Sequence, residues 1–183
     1  KSLAAADLMR GEGRVISADL SPQKVERIAE NVARTGFAAC VTPEQSDAAV
    51  FRKDWETAFD LVIADLPCSG LGVLGRKPDI KLRLKEADIA ALRELQRNFL
   101  CNAVRYLRPG GRLLCSTCTL TAEEDEDNVR WLLDSFPALS PLDFSAVLPG
   151  IGDAEACRKG AVKLLPSRLP LDGFFISVFR KAE

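Results

Sequence analysis

Residues 14–36 read RVISADLSPQKVERIAENVARTG, and this stretch decides the fold class of the chain. The apolar run Arg14–Ala18, followed by Asp19, predicts a short strand. Ser21 then provides an N-cap, and the proline after it suits the first helical position. Apolar residues at helical spacing lead to Gly36, where a C-cap is predicted. A strand that is followed at once by a helix indicates a βα unit.

The rest of the chain repeats this alternation. Periodicity predicts three further strands, at residues 59–64, 112–116 and 173–179. It also predicts two long helices, at residues 89–107 and 121–137. Thr121 and Glu124 match a T-x-x-E capping box at the start of the second of these helices. Residues 138–170 are expected to be irregular, with a short strand near 162–165. The pattern predicts one α/β domain over residues 1–183, with a mostly parallel sheet.

Composition excludes several classes of protein. The chain has 183 residues, 47% of them hydrophobic, and a net charge of −1, which does not by itself indicate a nucleic-acid partner. It lacks a run of about 18 apolar residues, so no membrane span is expected, and residues 1–9 do not resemble a signal peptide. The six cysteines show no disulfide spacing and are expected to be reduced thiols in a cytoplasmic protein.

The chain contains no histidine. This absence excludes Ser-His-Asp and Cys-His catalysis and every zinc site that includes histidine. Chemistry must therefore depend on Cys, Asp, Glu, Lys or a cofactor, and no metal site is predicted.

Three candidate functional residues, Asp19, Asp65 and Cys118, lie at or just after the ends of predicted strands. Ligands of open α/β sheets bind beyond the carboxyl ends of the strands, so these residues are expected to face one crevice. An acid in the position of Asp19 commonly binds ribose hydroxyl groups, although an exposed turn aspartate fits the local pattern equally well.

Two cysteine motifs follow these strands. Residues 65–70, DLPCSG, place Cys68 among small residues that allow close approach of the backbone to a ligand, and an ordinary loop with a buried thiol is the alternative. Strand alternation points Cys115 and Cys118 to opposite faces, which disfavours a redox or metal role for this C-x-x-C pair. Cys118 lies just before a helix, where the thiolate form is favoured, and the acids at 123–127 are expected to be a solvated first helical turn.

Residues 76–85, RKPDIKLRLK, hold five basic residues and one acid. Such a run is usually a solvated surface, but beside the expected crevice it would contact the phosphates of a nucleic acid. Arg76, Lys77 and Lys81 are the candidates for RNA binding.

Six strings together resemble the Sun-type (RsmB-like) RNA cytosine carbon-5 methyltransferases. In chain order they are VISADLS (15–21), QSDA (45–48), DLPCSGLGV (65–73), RKPDIK (76–81), RPGGRLLCSTCTL (108–120) and DGFFIS (172–177). They follow the order and spacing of the family and cover nearly the whole chain. The resemblance implies a Rossmann-like class I methyltransferase fold, S-adenosylmethionine as cofactor and RNA, namely small-subunit ribosomal RNA, as partner.

The resemblance also implies a role for each candidate residue. Cys118 attacks carbon-6 of the cytosine, carbon-5 takes the methyl group, and Cys68 helps to release the product. Asp65 holds the base edge or the cofactor, while Asp19 binds the ribose and Asp47 the adenine side. DNA cytosine methyltransferases instead use the cysteine of a Pro-Cys motif, here Cys68, but the strings around both cysteines match the RNA family better.

The chain departs from the family pattern in three places. Cys115 stands where the family has an aromatic residue, and Leu82 where it has a tryptophan, both at positions that bear on base stacking. Lys1 and Ser2 match the last two positions of the family's P-G-G-K-[ST] loop, so Lys1 is a candidate for cofactor binding. The first strand of the sheet and the glycines of this loop are expected to be truncated.

Two other functions stay open at this point. Another class I methyltransferase, acting on a small molecule or a protein, would not need Cys118 and would keep its activity in Cys118→Ala. A non-catalytic fragment would bind RNA without binding the cofactor.

We expect this chain alone to bind S-adenosylmethionine weakly or not at all, because the expected glycine loop is not encoded in it. Isothermal titration calorimetry measures the affinity, with the full-length gene product as the positive control. Micromolar affinity of the chain alone would contradict this expectation.

Overall fold

The computed structural model describes residues 1–150, 153–167 and 171–183, and the chain forms two compact units, Lys1–Phe51 and Arg52–Glu183. The helices are α1 (Ser2–Leu8), α2 (Pro22–Thr35), α3 (Ile80–Arg83), α4 (Glu86–Tyr106), α5 (Glu126–Ser135) and α6 (Ala154–Arg158). The strands are β1 (Val15–Asp19), β2 (Val41–Gln45), β3 (Phe59–Asp65), β4 (Leu107–Thr117), β5 (Leu139–Pro141), β6 (Ala161–Leu164) and β7 (Phe174–Lys181). No helix in these ranges has both the length and the apolar character that a membrane-spanning segment needs.

The first unit contains the predicted βα unit. The Ser21 hydroxyl accepts a hydrogen bond from the backbone N–H of Lys24 at 3.4 Å and caps α2. Gly36 ends the helix with a φ of 77°, a left-handed conformation that glycine adopts without steric cost. β2, which the sequence patterns do not predict, pairs in parallel with β1. Helix α1 is likewise additional, and a small core forms from Ala6, Val32, Cys40 and Val41.

The second unit is built on a mixed sheet in the order β3-β4-β7-β5, with β6 also paired to β7. β3 and β4 are parallel, and β7 runs antiparallel to β4, β5 and β6. The predicted α/β class is confirmed, and β6 confirms the short strand expected near 162–165. The stretch 138–170 is less irregular than expected, because β5 and α6 also form there.

The larger hydrophobic core of the second unit lies between this sheet and the helices α4 and α5. Its most deeply buried side chains, each at most 2% exposed, are Leu100, Leu107, Leu113, Leu132 and Phe179. Burial of such side chains is the main favourable contribution to the stability of the sheet and of the loops that leave it.

The strand predicted over residues 59–64 is present as β3, but its apolar residues are buried on one face only. Val62 and Ala64 pack against the core, whereas Leu61 is 46% and Ile63 37% exposed. Among the described strands, β3 pairs only with β4, so it is an edge strand of this sheet.

Two backbone segments cross closely at Gly72 and Gly173. The N–H of Gly72 donates to the carbonyl oxygen of Cys118 at 2.9 Å, and the N–H of Gly173 donates to that of Gly72 at 2.8 Å. A Cβ atom on Gly72 would lie 2.2 Å from the Gly173 oxygen and 2.8 Å from the Cys118 oxygen. Only glycine fits here, because both neighbours are backbone atoms.

We expect Gly72→Ala to lower the free energy of unfolding by about 1–3 kcal/mol or more, since the backbone must move apart to admit the methyl group. Denaturant-induced unfolding measures the change. Gly75→Ala is the matched control, because a Cβ atom there meets nothing within 4 Å. Equal stability of the two variants would show that the crossing is not tight.

Candidate active site

Two of the predicted site residues, Cys68 and Cys118, lie side by side in the second unit. Their sulfur atoms are 3.4 Å apart, and the backbone N–H of Cys118 donates to the sulfur of Cys68 at 3.3 Å. Both side chains are half-buried and neither is in a disulfide. Each thiol therefore has the other as a hydrogen-bonding partner, in a position that is still open to a ligand.

The strand pairing explains why these thiols meet. In the parallel pair of β3 and β4, Asp65 lies opposite Ser116. The N–H of Leu66 donates to the carbonyl oxygen of Ser116 at 2.9 Å, and the Ser116 hydroxyl donates to Oδ1 of Asp65 at 3.1 Å. β3 and β4 end at the same edge of the sheet, so the loops that carry Cys68 and Cys118 start close together, beside the carboxylate of Asp65.

The environment of Cys68 keeps its thiol protonated. Burial, and after it the hydrogen bond and the charge of Cys118, raise the pKa of Cys68 to about 12. At neutral pH this group therefore holds its proton and can donate it in a hydrogen bond to the sulfur of Cys118.

Cys115 does not form a functional pair with Cys118. It lies inside β4 and in the core, where burial raises the pKa of its thiol to about 12. The thiol next to Cys118 belongs to Cys68, so the C-x-x-C spacing brings no dithiol together. Over the ranges that the structure describes, no three Cys, Asp or Glu side chains are grouped so that they could hold a metal ion.

The predicted capping box is wrong. Helix α5 begins at Glu126, and the preceding Glu124 and Asp125 are each only 1% exposed, so they are not part of a solvated helical turn. The carboxylate of Glu124 accepts four hydrogen bonds, from the N–H of Ser69 at 2.9 Å, the hydroxyl of Ser69 at 2.5 Å, Nε2 of Gln96 at 2.9 Å and the hydroxyl of Thr121 at 3.0 Å.

Gln96 is the residue from which this buried network could have been predicted in the sequence. It lies between Leu92 and Leu100 on the apolar face of α4, where a polar side chain needs partners. It is fully buried, and its Nε2 donates to the carbonyl oxygen of Pro67 at 2.8 Å as well as to Glu124. The oxygen of Gln96 accepts from Asn128 at 2.7 Å, so all its polar atoms are used.

The first unit holds three of the four candidates for cofactor binding, and the fourth, Asp65, lies in the second unit. Asp19 ends β1, where its Oδ1 accepts from the N–H of Ser21 at 2.9 Å and its Oδ2 lies 3.3 Å from Nζ of Lys24. Asp47 follows β2, and its Oδ1 accepts from a backbone N–H two residues further on at 2.9 Å. Both carboxylates are half-buried, beyond the carboxyl ends of neighbouring parallel strands. Lys1 is an exposed residue directly before α1.

The three candidate RNA-binding residues are exposed near α3. Arg76 forms an ion pair with Asp172, whereas Lys77 and Lys81 are exposed residues. Leu82, the position of the family's tryptophan, is 81% exposed.

Asp125 is held by different partners from those of Glu124. The Thr117 hydroxyl donates to its Oδ1 at 2.6 Å, and Nζ of Lys163 lies 3.2 Å from its Oδ2. Burial raises the pKa of Asp125 to about 6, against the hydrogen bond from Thr117 and the charge of Lys163.

Comparison with known sequences gives a consistent family. The family model described as 16S rRNA methyltransferase RsmB/F matches residues 1–180. Ribosomal RNA small subunit methyltransferase F of Cronobacter sakazakii is 33% identical over 182 residues, and probable ribosomal RNA small subunit methyltransferase B of Bacillus subtilis is 36% identical over 183 residues. Each comparison covers 99% of this chain but 38% and 40% of the relative, so the chain spans about two fifths of their length.

Solved structures agree with the sequence relatives. NSun6 from Pyrococcus horikoshii, solved with SFG, has a TM-score of 0.80 and 27% identity over 99% of this chain and 44% of that one. A methyltransferase homolog protein from Pyrococcus horikoshii has a TM-score of 0.74 and 28% identity over 96% of this chain and 56% of that one. The fold is that of the class I methyltransferases, as predicted.

The raised pKa of Asp125 predicts a pH dependence of stability. The folded state binds this proton more tightly than the unfolded chain, whose aspartate has a pKa near 3.8. The stability that protonation gives is fully present below pH 3.8 and is lost as the pH rises through about 6. Between pH 4 and 8 the unfolding free energy of Asp125→Asn, minus that of the wild type, should rise by about 2–3 kcal/mol.

Denaturant unfolding at several pH values measures this difference. Asp134→Asn is the control, because Asp134 lies on α5 but is exposed. Parallel curves for Asp125→Asn and the wild type would contradict the prediction.

Proposed function

This chain belongs to the 16S rRNA methyltransferase RsmB/F family, and we propose that it transfers a methyl group from S-adenosylmethionine to carbon-5 of a cytosine in RNA, through a covalent adduct at Cys118. Small-subunit ribosomal RNA is the proposed substrate, because the relatives named above are ribosomal RNA small subunit methyltransferases. Both compact units are proposed to belong to one cytoplasmic catalytic domain over residues 1–183.

The observation that supports this most strongly is the 3.4 Å separation of the two sulfur atoms. Either thiol can donate in this contact, and burial raises the pKa of Cys68 to about 12, so its thiol keeps a proton to donate. A donor at this distance stabilises negative charge on the sulfur of Cys118. The thiolate is the nucleophilic form of cysteine, so the arrangement favours Cys118 over Cys68, the cysteine of the Pro-Cys motif, as the nucleophile.

In the proposed reaction, the sulfur of Cys118 forms a bond with carbon-6, and the electron pair of the ring double bond makes carbon-5 nucleophilic. The cofactor supplies an electrophilic methyl group. Loss of the carbon-5 proton then restores the double bond and expels Cys118. Covalent catalysis in this way divides one difficult substitution into easier steps. The target base must first leave its stack in the RNA.

Other residues are assigned to binding. Asp65, which Ser116 orients through a hydrogen bond, is proposed to hold the base edge or the cofactor. In the first unit, Asp19 and Asp47 are proposed to bind the ribose and the adenine side. They fit this role, because each carboxylate has acceptor positions besides those that backbone N–H groups use. Lys1 is assigned to the methionine end of the cofactor.

The exposed cations Arg76, Lys77 and Lys81 are proposed to contact RNA phosphates. Such contacts contribute affinity that falls with salt and carries no base specificity.

Trapping the covalent intermediate tests the proposal. The full-length gene product is mixed with S-adenosylmethionine and small-subunit ribosomal RNA that contains 5-fluorocytosine, whose fluorine cannot leave as a proton. We expect an adduct on a denaturing gel for the wild type and for Cys68→Ser, and none for Cys118→Ser. Cys101→Ser, at a half-buried cysteine of α4, is the control.

An adduct that persists in Cys118→Ser and disappears in Cys68→Ser would reverse the two roles. Methyl transfer that survives in Cys118→Ala would instead indicate a class I methyltransferase without a covalent step.

A further inference from the structure

Glu124 is a buried acid that the reaction described above does not use. It is 1% exposed, and within residues 1–150, 153–167 and 171–183 it forms no ion pair with a lysine or arginine. Its two carboxyl oxygens instead accept hydrogen bonds from one backbone N–H, one side-chain amide and two hydroxyl groups. A buried carboxylate is costly unless such donors surround it, so its position is strongly determined.

The donors to Glu124 come from the loops of both thiols. Ser69, directly after Cys68, donates its N–H and its hydroxyl, and Thr121, three residues after Cys118, donates its hydroxyl. The hydroxyl of Ser69 also lies 2.7 Å from that of Thr119, directly after Cys118. One carboxylate thus joins the two chain segments that carry the sulfur atoms.

Helix α4 fixes this junction from the core. Nε2 of Gln96 donates both to Glu124 and to the carbonyl oxygen of Pro67. The residues on either side of Cys68 are therefore held, Pro67 through Gln96 and Ser69 through Glu124. The side chain of Cys68 has little freedom to leave the sulfur of Cys118.

We propose that Glu124 is a positioning residue that holds Cys68 against Cys118 while the product is released. This rests on the proposed function. In that step the carbon-5 proton passes to water, its bonding pair forms the carbon-5–carbon-6 double bond, and the carbon-6–sulfur pair leaves with Cys118. The thiol of Cys68, held in place, donates a hydrogen bond to the departing sulfur and stabilises its charge.

The test compares methyl transfer with product release in the full-length protein, using unmodified small-subunit ribosomal RNA. In Glu124→Ala we expect single-turnover methylation within about threefold of the wild type, steady-state turnover lower by about 10–100-fold, and accumulation of the covalent adduct. Cys68→Ala, which removes the donor of this hydrogen bond, should show the same pattern. A general loss of structure would reduce adduct formation as well, so it would not give this combination.

Two further variants sharpen the test. Glu124→Gln keeps one oxygen that accepts from the N–H of Ser69 and from Gln96. The hydroxyl groups of Ser69 and Thr121 can rotate to accept from the new side-chain amide. Turnover of this variant should therefore be within about threefold of the wild type. Glu124→Asp is too short to reach both sets of donors and should accumulate the adduct; it decides the question where Glu124→Ala does not fold. Glu123→Ala, at the exposed neighbouring position, is the control.

Wild-type turnover and no adduct in both Glu124→Ala and Glu124→Asp would overturn the positioning role alone. A loss in Glu124→Gln as large as in Glu124→Ala would overturn it too, since charge rather than hydrogen bonding would then matter. Failure of the wild type to form an adduct with 5-fluorocytosine RNA would overturn the proposed function itself.

Discussion

Parallel pairing of β3 with β4 is the constraint on which the candidate active site depends. Its register places Asp65 opposite Ser116, so both strands end at one edge of the sheet. The loops that follow β3 and β4 therefore start side by side, and they carry Cys68 and Cys118. Their sulfur atoms meet although 50 residues separate them along the chain.

This meeting point is held by groups that leave the loops little freedom. On one side, the N–H of Gly72 binds the carbonyl oxygen of Cys118 at a crossing too tight for any Cβ atom. On another, the carboxylate of Glu124 and the amide of Gln96 bind the residues around Cys68. A buried polar network is favourable only when all its members are satisfied, so the two loops take up their arrangement together.

Local rules predict the elements of this fold and fail at its site for a physical reason. Ser21 is the N-cap and Gly36 the C-cap of α2, as predicted, because capping involves only residues that are close in the sequence. Thr121 and Glu124 have equally good capping-box spacing, but the carboxylate binds Ser69, 55 residues away, at a more deeply buried place. A local sequence pattern describes only the spacing of nearby residues, so it does not include hydrogen-bond donors that are distant in the sequence. The family resemblance, by contrast, identified both Cys68 and Cys118 as site residues, because motifs from distant parts of the sequence contribute to it together.

The absence of histidine makes the proposed chemistry depend on the contact between two identical side chains. Loss of a proton from both thiols would place two negative charges 3.4 Å apart in a partly desolvated site, which is strongly unfavourable. The N–H of Cys118 acts to lower the pKa of Cys68, but burial and the neighbouring Cys118 sulfur outweigh it. Cys68 therefore keeps its proton and is available as a hydrogen-bond donor to the sulfur of Cys118. The division of roles between nucleophile and donor then follows from the environment of Cys68, and the elements that create this environment are the same ones that bring the two sulfur atoms together.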